Sequence, residues 1–366
     1  MCPELSASPF PARQERLRAL MDTRRVPLLL VTHRVNVRYL TGFSGSAGML
    51  LVGPRHATLW TDPRYTLQAR EQAEGVEVVE EREGILKAVA KYLQKNRVRE
   101  FAFEPASLNC AQFEQLRQAA GSQVQLKPAP ELIEELRVVK DRAEIACIRR
   151  AGSLTVEVLA DLLPQLRPGV SERDLAAEIE YRMRKRGAEG PAFETIVASG
   201  PRAAYPHACS SSKVLEESEL VILDLGAILG GYAADMTRTV FLGEPTRRVR
   251  ALYSAVRRAQ EAAAGSVRDS ISAAEVDSTA RRTLARHRLA RYFTHSTGHG
   301  VGLEIHERPR LAKGENTRLK SGSVVTVEPG IYLEGFGGIR IEDTVLVGPK
   351  GPENLTPAPK ETWIVG

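Results

Sequence analysis

Four carboxylates and one imidazole, spread over four short motifs, constrain this chain more than any bulk property. Asp224 and Asp235 lie in VILDLGAILGGYAADMTRT, His299 in HSTGHGVGLEIHE, Glu328 in VVTVEPGIYL and Glu342 in GIRIEDT. Each sits in a strand-like or glycine-rich setting that points its side chain towards a shared cavity. Such a cluster cannot be buried unless cations offset its repulsion and desolvation. One divalent ion leaves a surplus of negative charge, whereas two with a bridging hydroxide nearly balance it.

Part of the geometry follows from strand periodicity. Residues 220–228 and 232–242 read as strands, and Gly230–Gly231 marks a hairpin turn between them. A loop centred on Leu229–Gly230 sets Asp224 opposite Asp235. A loop centred on Gly230–Gly231 sets Asp224 opposite Thr237, with Asp235 diagonal on the same face. Both registers place the two carboxylates within reach of shared ions. In GIRIEDT the period of two separates Ile339 and Ile341 from Arg340 and Glu342.

Taken singly, none of these motifs is decisive. An Asp–Asp hairpin is more often a solvated turn, and a glycine-flanked histidine is often satisfied by backbone. Their joint occurrence in order outweighs those readings. The set resembles the pita-bread-fold metallopeptidases, in the branch of aminopeptidase P and prolidase. The specific segments are SGPRAAYPH (199–207), DLG…GYAADMTRT (224–239), HSTGHGVGLEIHE (295–307), EPGIY (328–332) and GIRIEDT (338–344). Ser296 stands where a glycine is usual, and Pro63 interrupts a segment that usually reads TDGRY.

The resemblance implies an α+β fold: a pita-bread catalytic domain with a curved antiparallel sheet over residues 140–366, after a creatinase-type α/β domain over 1–132. It implies two metals bridged by Asp235 and Glu342, with Asp224 completing one shell and His299 and Glu328 the other. Glu328 also serves as the proton carrier. His207, His295, His306 and Arg340 match substrate-handling positions, with His306 or His295 stabilising the oxyanion. The implied reaction is hydrolysis of Xaa–Pro bonds, and the implied assembly is a homodimer. The GFSGSAG and TDPRY segments lean towards an Xaa-Pro aminopeptidase, with an Xaa-Pro dipeptidase as the alternative. A non-catalytic binding module on the same fold would be expected to have shed ligands, and here all five are intact.

A carboxylate-rich set with one imidazole and no thiolate suits Mn²⁺ and tolerates Co²⁺ or Zn²⁺. Cys2, Cys110, Cys147 and Cys209 have neither zinc-site nor disulfide-framework spacing, so reduced thiols and a cytoplasmic location are expected. No membrane span or apolar signal core is visible. The net charge of +6 concentrates in 246–259 and 280–292, where apolar residues recur at helical spacing. That pattern predicts solvated helix faces rather than a nucleic-acid module.

Along the chain, VPLLLV, HATLW and FAFEP read as strands, and GILKAVAKYLQKN and NCAQFEQLRQAAG as helices. NVRYLTGFSGSAGMLLV reads as strand, loop and strand. Helices are expected over DRAEIACIRRAGSLTVEVLADLLPQL, VSERDLAAEIEYRMRKRG, 246–264 and 272–288, with LKPAPELIEELRVVK as the boundary between domains.

Overall fold

Short β-branched and aliphatic runs form the strands of the N-terminal part. The computed structural model describes residues 8–129, 131–361 and 363–365. Contacts divide these into two compact units that meet in sequence at Arg137 and Val138. The first holds a mixed six-stranded sheet in the order Glu77–Glu80, Ala57–Thr61, Met49–Val52, Leu29–Val31, Glu100–Phe103, Gln125–Pro128. Its helix Cys110–Ala120 starts on an Asn109–Gln112 capping box and stops at Gly121, as its composition predicts. The expectation fails at NVRYL, which is part of the helix Arg34–Thr41 rather than a strand. Asn36, Val37, Tyr39 and Leu40 are all buried there, and helical spacing buries them on one face where alternation would expose half of them.

The second unit is organised by helices that cover strands. Arg142–Leu162 opens on an Asp141–Glu144 capping box and packs Leu154, Val158 and Leu162 with Leu223, Leu225 and Val240. The helices Arg247–Ser266 and Ala273–Arg286 bury Val256, Ala259, Val276, Ala280 and Leu284 against Val325, Val327, Ile339 and Ile341. Each fully buried aliphatic side chain of this size contributes about 1.5–3 kcal/mol relative to exposure. Arg247, Arg250, Arg258, Arg282 and Arg286 remain exposed.

Two antiparallel arrangements position the site. Leu220–Leu225 pairs with Met236–Leu242 in the register Asp224↔Thr237, so the second of the two hairpin readings holds. Gly230 and Gly231 supply the positive φ angles, 61° and 84°, that its turn requires. The other is a five-stranded sheet ordered Glu307–Leu311, Gly298–Gly300, Val324–Val327, Asp343–Gly348, Gly351–Asn354. In it Val327 pairs with Asp343, and one step further along lie Glu328 and Glu342.

Cys110 and Cys209 are free and exposed. Cys2 lies outside the described residues. Among the described residues no helix is long and apolar enough to cross a membrane.

Candidate metal centre

Strand pairing brings the five residues together from four separate motifs. Asp235, His299 and Glu342 each offer a ligand atom, and these atoms lie within 4.8 Å of one another. His299 Nε2 is 3.6 Å from Asp235 Oδ2 and 3.5 Å from Glu328 Oε1. Asp224 joins through Arg340, whose Nη2 donates to Asp224 Oδ2 at 2.5 Å. The ring of His299 is oriented by its Nδ1, 3.0 Å from Gly300 O. With the proton on Nδ1, Nε2 presents its lone pair to the carboxylates, the tautomer a metal ligand needs.

The strand Gly298–Gly300 is gripped closely. A Cβ at Gly298 would collide with Thr326 O, and one at Gly300 with Arg308 O. Only glycine allows the flanking strands to approach His299 this closely on both sides.

Electrostatics define what the pocket lacks. Burial is the largest cause that pushes Asp235 and Glu342 well above the usual carboxylate range, and the neighbouring carboxylates push in the same direction. Burial likewise pushes Glu328 up to about 8, against the opposing pull of Arg340. His299 is lowered to about 4, mainly by burial. The cluster therefore resists carrying its full negative charge unless positive charge is added. Asp224 Oδ1 is buried without a hydrogen-bond partner. A set of carboxylate oxygens with one imidazole nitrogen, one of those oxygens lacking a hydrogen-bond partner, fits hard or borderline divalent cations.

Around the cluster lie the other expected residues. His295 Nε2 is 2.9 Å from Tyr332 Oη, and its Nδ1 is 2.8 Å from Ser296 O. Arg340 Nη1 donates to Tyr332 Oη at 2.9 Å, which leaves the tyrosine proton to reach His295. Burial, then Arg340, holds His295 down at about 4, so both of its ring nitrogens are engaged while the ring is neutral. His306 is exposed, with its ring centre 4.3 Å from that of His299. Burial is the largest cause that lowers His306, and the proximity of His207 adds to the lowering of both His295 and His306. Arg340 also donates from Nε to Thr237 Oγ1 at 3.0 Å and from Nη1 to Pro206 O at 3.0 Å. Four of its five N–H donors are thus committed within the protein.

Several supporting residues were not foreseen. Thr237 Oγ1 donates to Glu342 Oε2 at 2.6 Å, and Thr344 Oγ1 to Asp235 O at 2.7 Å. His299 N donates to Thr326 Oγ1 at 3.1 Å. Each of these threonines lies two residues from a carboxylate: Thr237 from Asp235, Thr326 from Glu328, Thr344 from Glu342. Strand periodicity puts such pairs on one face, a signal that was available in the sequence. Tyr332 lies within the EPGIY motif, and its bonds to His295 and Arg340 carry no signal in the sequence alone.

Comparison with known proteins identifies the lineage. The model of metallopeptidase family M24 matches residues 146–349, and that of the Creatinase/Prolidase N-terminal domain matches 13–139. This chain belongs to metallopeptidase family M24. Its α+β, pita-bread architecture with a creatinase-type N-terminal domain is that of the family. An Xaa-Pro dipeptidase of Pyrococcus horikoshii is 36% identical over 93% of this chain and 95% of its own. The solved Xaa-Pro dipeptidase from Bacillus anthracis has a TM-score of 0.94 at 38% identity, covering 97% of this chain and 99% of that one. An X-Pro aminopeptidase from Thermotoga maritima MSB8 has a TM-score of 0.90 at 36% identity, covering 96% and 100%. As an M24 member, the protein is a metallopeptidase that works with divalent metal ions.

Proposed function

We propose that this metallopeptidase is an Xaa-Pro dipeptidase that splits the bond before a C-terminal proline. The observation that carries this reading is near-full-length similarity to proteins named Xaa-Pro dipeptidase. It replaces the aminopeptidase expectation drawn from the GFSGSAG and TDPRY segments. The Thermotoga relative keeps the aminopeptidase as the second reading.

In this reading Asp224, Asp235, His299, Glu328 and Glu342 would hold two divalent cations, Mn²⁺ by preference. When bound, such a pair acidifies water and polarises the scissile carbonyl. Glu328 takes the proton of the attacking water and delivers it to the proline nitrogen as the C–N bond breaks. Without that proton the proline nitrogen would have to leave as an amide anion, so its delivery makes the nitrogen a competent leaving group. His306 faces the carbonyl oxygen and donates to the developing oxyanion. His295, with both ring nitrogens engaged, orders Tyr332 and the pocket wall, and His207 contacts the substrate beyond the proline ring.

The test is kcat/KM for Xaa–Pro against Xaa–Pro–Xaa with Mn²⁺-loaded protein. Faster turnover of the dipeptide supports the proposal, and preference for the tripeptide reverts it to an aminopeptidase.

A further inference from the structure

We propose that Glu172 is a positioning residue that closes the neck of the loop 199–211 and so sets where His207 stands. The proposal rests on the dipeptidase reading for its kinetic consequence, though not for its structural one. Glu172 is the first residue of the helix Glu172–Lys185 and is completely buried. Its two oxygens collect five hydrogen bonds, from both ends of a single loop. Oε1 accepts from Ser199 N at 2.8 Å and Ser199 Oγ at 2.9 Å. Oε2 accepts from Ser211 N at 3.0 Å, Ser211 Oγ at 2.6 Å and Arg202 Nε at 3.0 Å.

Helix capping does not account for this arrangement. Ser171 already caps the helix by accepting from Asp174 N at 3.1 Å. Glu172 instead points its carboxylate across to the loop. The open N–H groups of the helix terminus add to the grip: Glu172 N donates to Lys213 O and Arg173 N to Ser211 O, each at 2.9 Å. Further out, Arg202 Nη2 donates to Cys209 O at 2.6 Å, a second clasp across the same loop.

The tip of this loop meets the metal centre. Pro206 O accepts from Arg340 Nη1 at 3.0 Å, and His207 follows immediately. A node of five donors on one buried carboxylate is stiff, because losing a partner leaves charge or donors unpaired. The neck therefore holds the tip against the site from a residue that touches neither substrate nor the metal ligands.

The experiment compares full-length, Mn²⁺-loaded wild type with Glu172→Gln, Ser199→Ala and Ser211→Ala. Glutamine keeps the volume and one acceptor oxygen, so it serves one end of the loop but not both. Amides of residues 200–210 should exchange with deuterium about ten- to a hundredfold faster in Glu172→Gln, the scale of a lost bond to a charged group. Exchange in the strands bearing His299 and Glu342, and the metal content, should not change. KM for Xaa–Pro should rise about as much as loop exchange, with kcat changing less. Each serine variant should shift both quantities the same way by less, and these variants carry the test if Glu172→Gln does not fold. Unchanged loop exchange, or faster loop exchange with wild-type KM, would overturn the proposal. Faster loop exchange in a protein that never hydrolyses Xaa–Pro would support the neck role while refuting the dipeptidase reading.

Discussion

Arg340 donates a 2.5 Å hydrogen bond to Asp224 Oδ2, and the other oxygen of Asp224 is left without a partner. One oxygen of this carboxylate thus meets an internal cation, and the other would be the atom it offers to a metal. Arg340 spends its remaining committed donors on Thr237, Tyr332 and Pro206 O, so it builds the wall of the pocket from within.

Replacing that guanidinium should affect substrates of both lengths. Arg340→Ala is expected to lower kcat/KM for Xaa–Pro and for Xaa–Pro–Xaa by similar factors, because it disrupts the ligand shell. Parallel kinetics on the two substrates check this. A loss confined to dipeptides would instead show the fifth N–H gripping the substrate carboxylate.

Chelation should abolish hydrolysis, and Mn²⁺ or Co²⁺ should restore it, since the bare cluster is self-repelling. Glu342→Gln and Asp235→Asn should each lose most bound metal, measured by elemental analysis. Full activity in exhaustively stripped protein would remove the basis for the two-metal arrangement.

Glu328→Gln keeps volume and one oxygen but cannot carry the proton. We expect kcat to fall by about 10²–10⁴, the range for a general acid–base group, with a smaller change in KM. Normal metal content with unchanged kcat would reduce Glu328 to a ligand.

Glu172 gives a pH signature in stability. Burial pushes its pKa up, but hydrogen bonds from Ser211 and Ser199 outweigh that, and the net shift is downward. A depressed folded-state pKa means that the stabilisation is complete above the unfolded value, about 4.3, and is lost as pH falls through the folded one. Urea midpoints of wild type and Glu172→Gln should therefore differ most near neutrality and converge on acidification. A gap that widens below pH 4 would contradict the assignment.

Lys140 and Glu307 form a buried ion pair at 2.7 Å, next in sequence to His306. Lys140→Met should cost about 3–5 kcal/mol by stranding the carboxylate, and Lys140→Met with Glu307→Leu should cost less. Denaturant melts of the single and double variants test this.

The clustering of Asp224, Asp235, His299, Glu328 and Glu342 was legible because each motif combines a chemical side chain with a strand or turn signal. The hairpin register was open between two choices, and the geometry of the Gly230–Gly231 turn selected one. NVRYL misled because β-branched and aromatic residues favour strands locally, whereas the burial of Asn36, Val37, Tyr39 and Leu40 is helical. Glu172 was invisible for another reason. Ser171-Glu172-Arg173-Asp174 reads as an ordinary capped first turn, and its partners at Ser199 and Ser211 are distant in sequence.

The two glycines flanking His299 have a consequence for how this site can vary. Because each leaves no room for a side chain, a methyl group at Gly298 or Gly300 would wedge the sheet apart at the backbone that grips the imidazole. Alanine at either position should loosen metal binding while every ligand side chain stays intact. The GHG triplet thus works as a tolerance gauge: the spacing between strands, fixed by two missing β-carbons, sets how accurately one ring can be aimed.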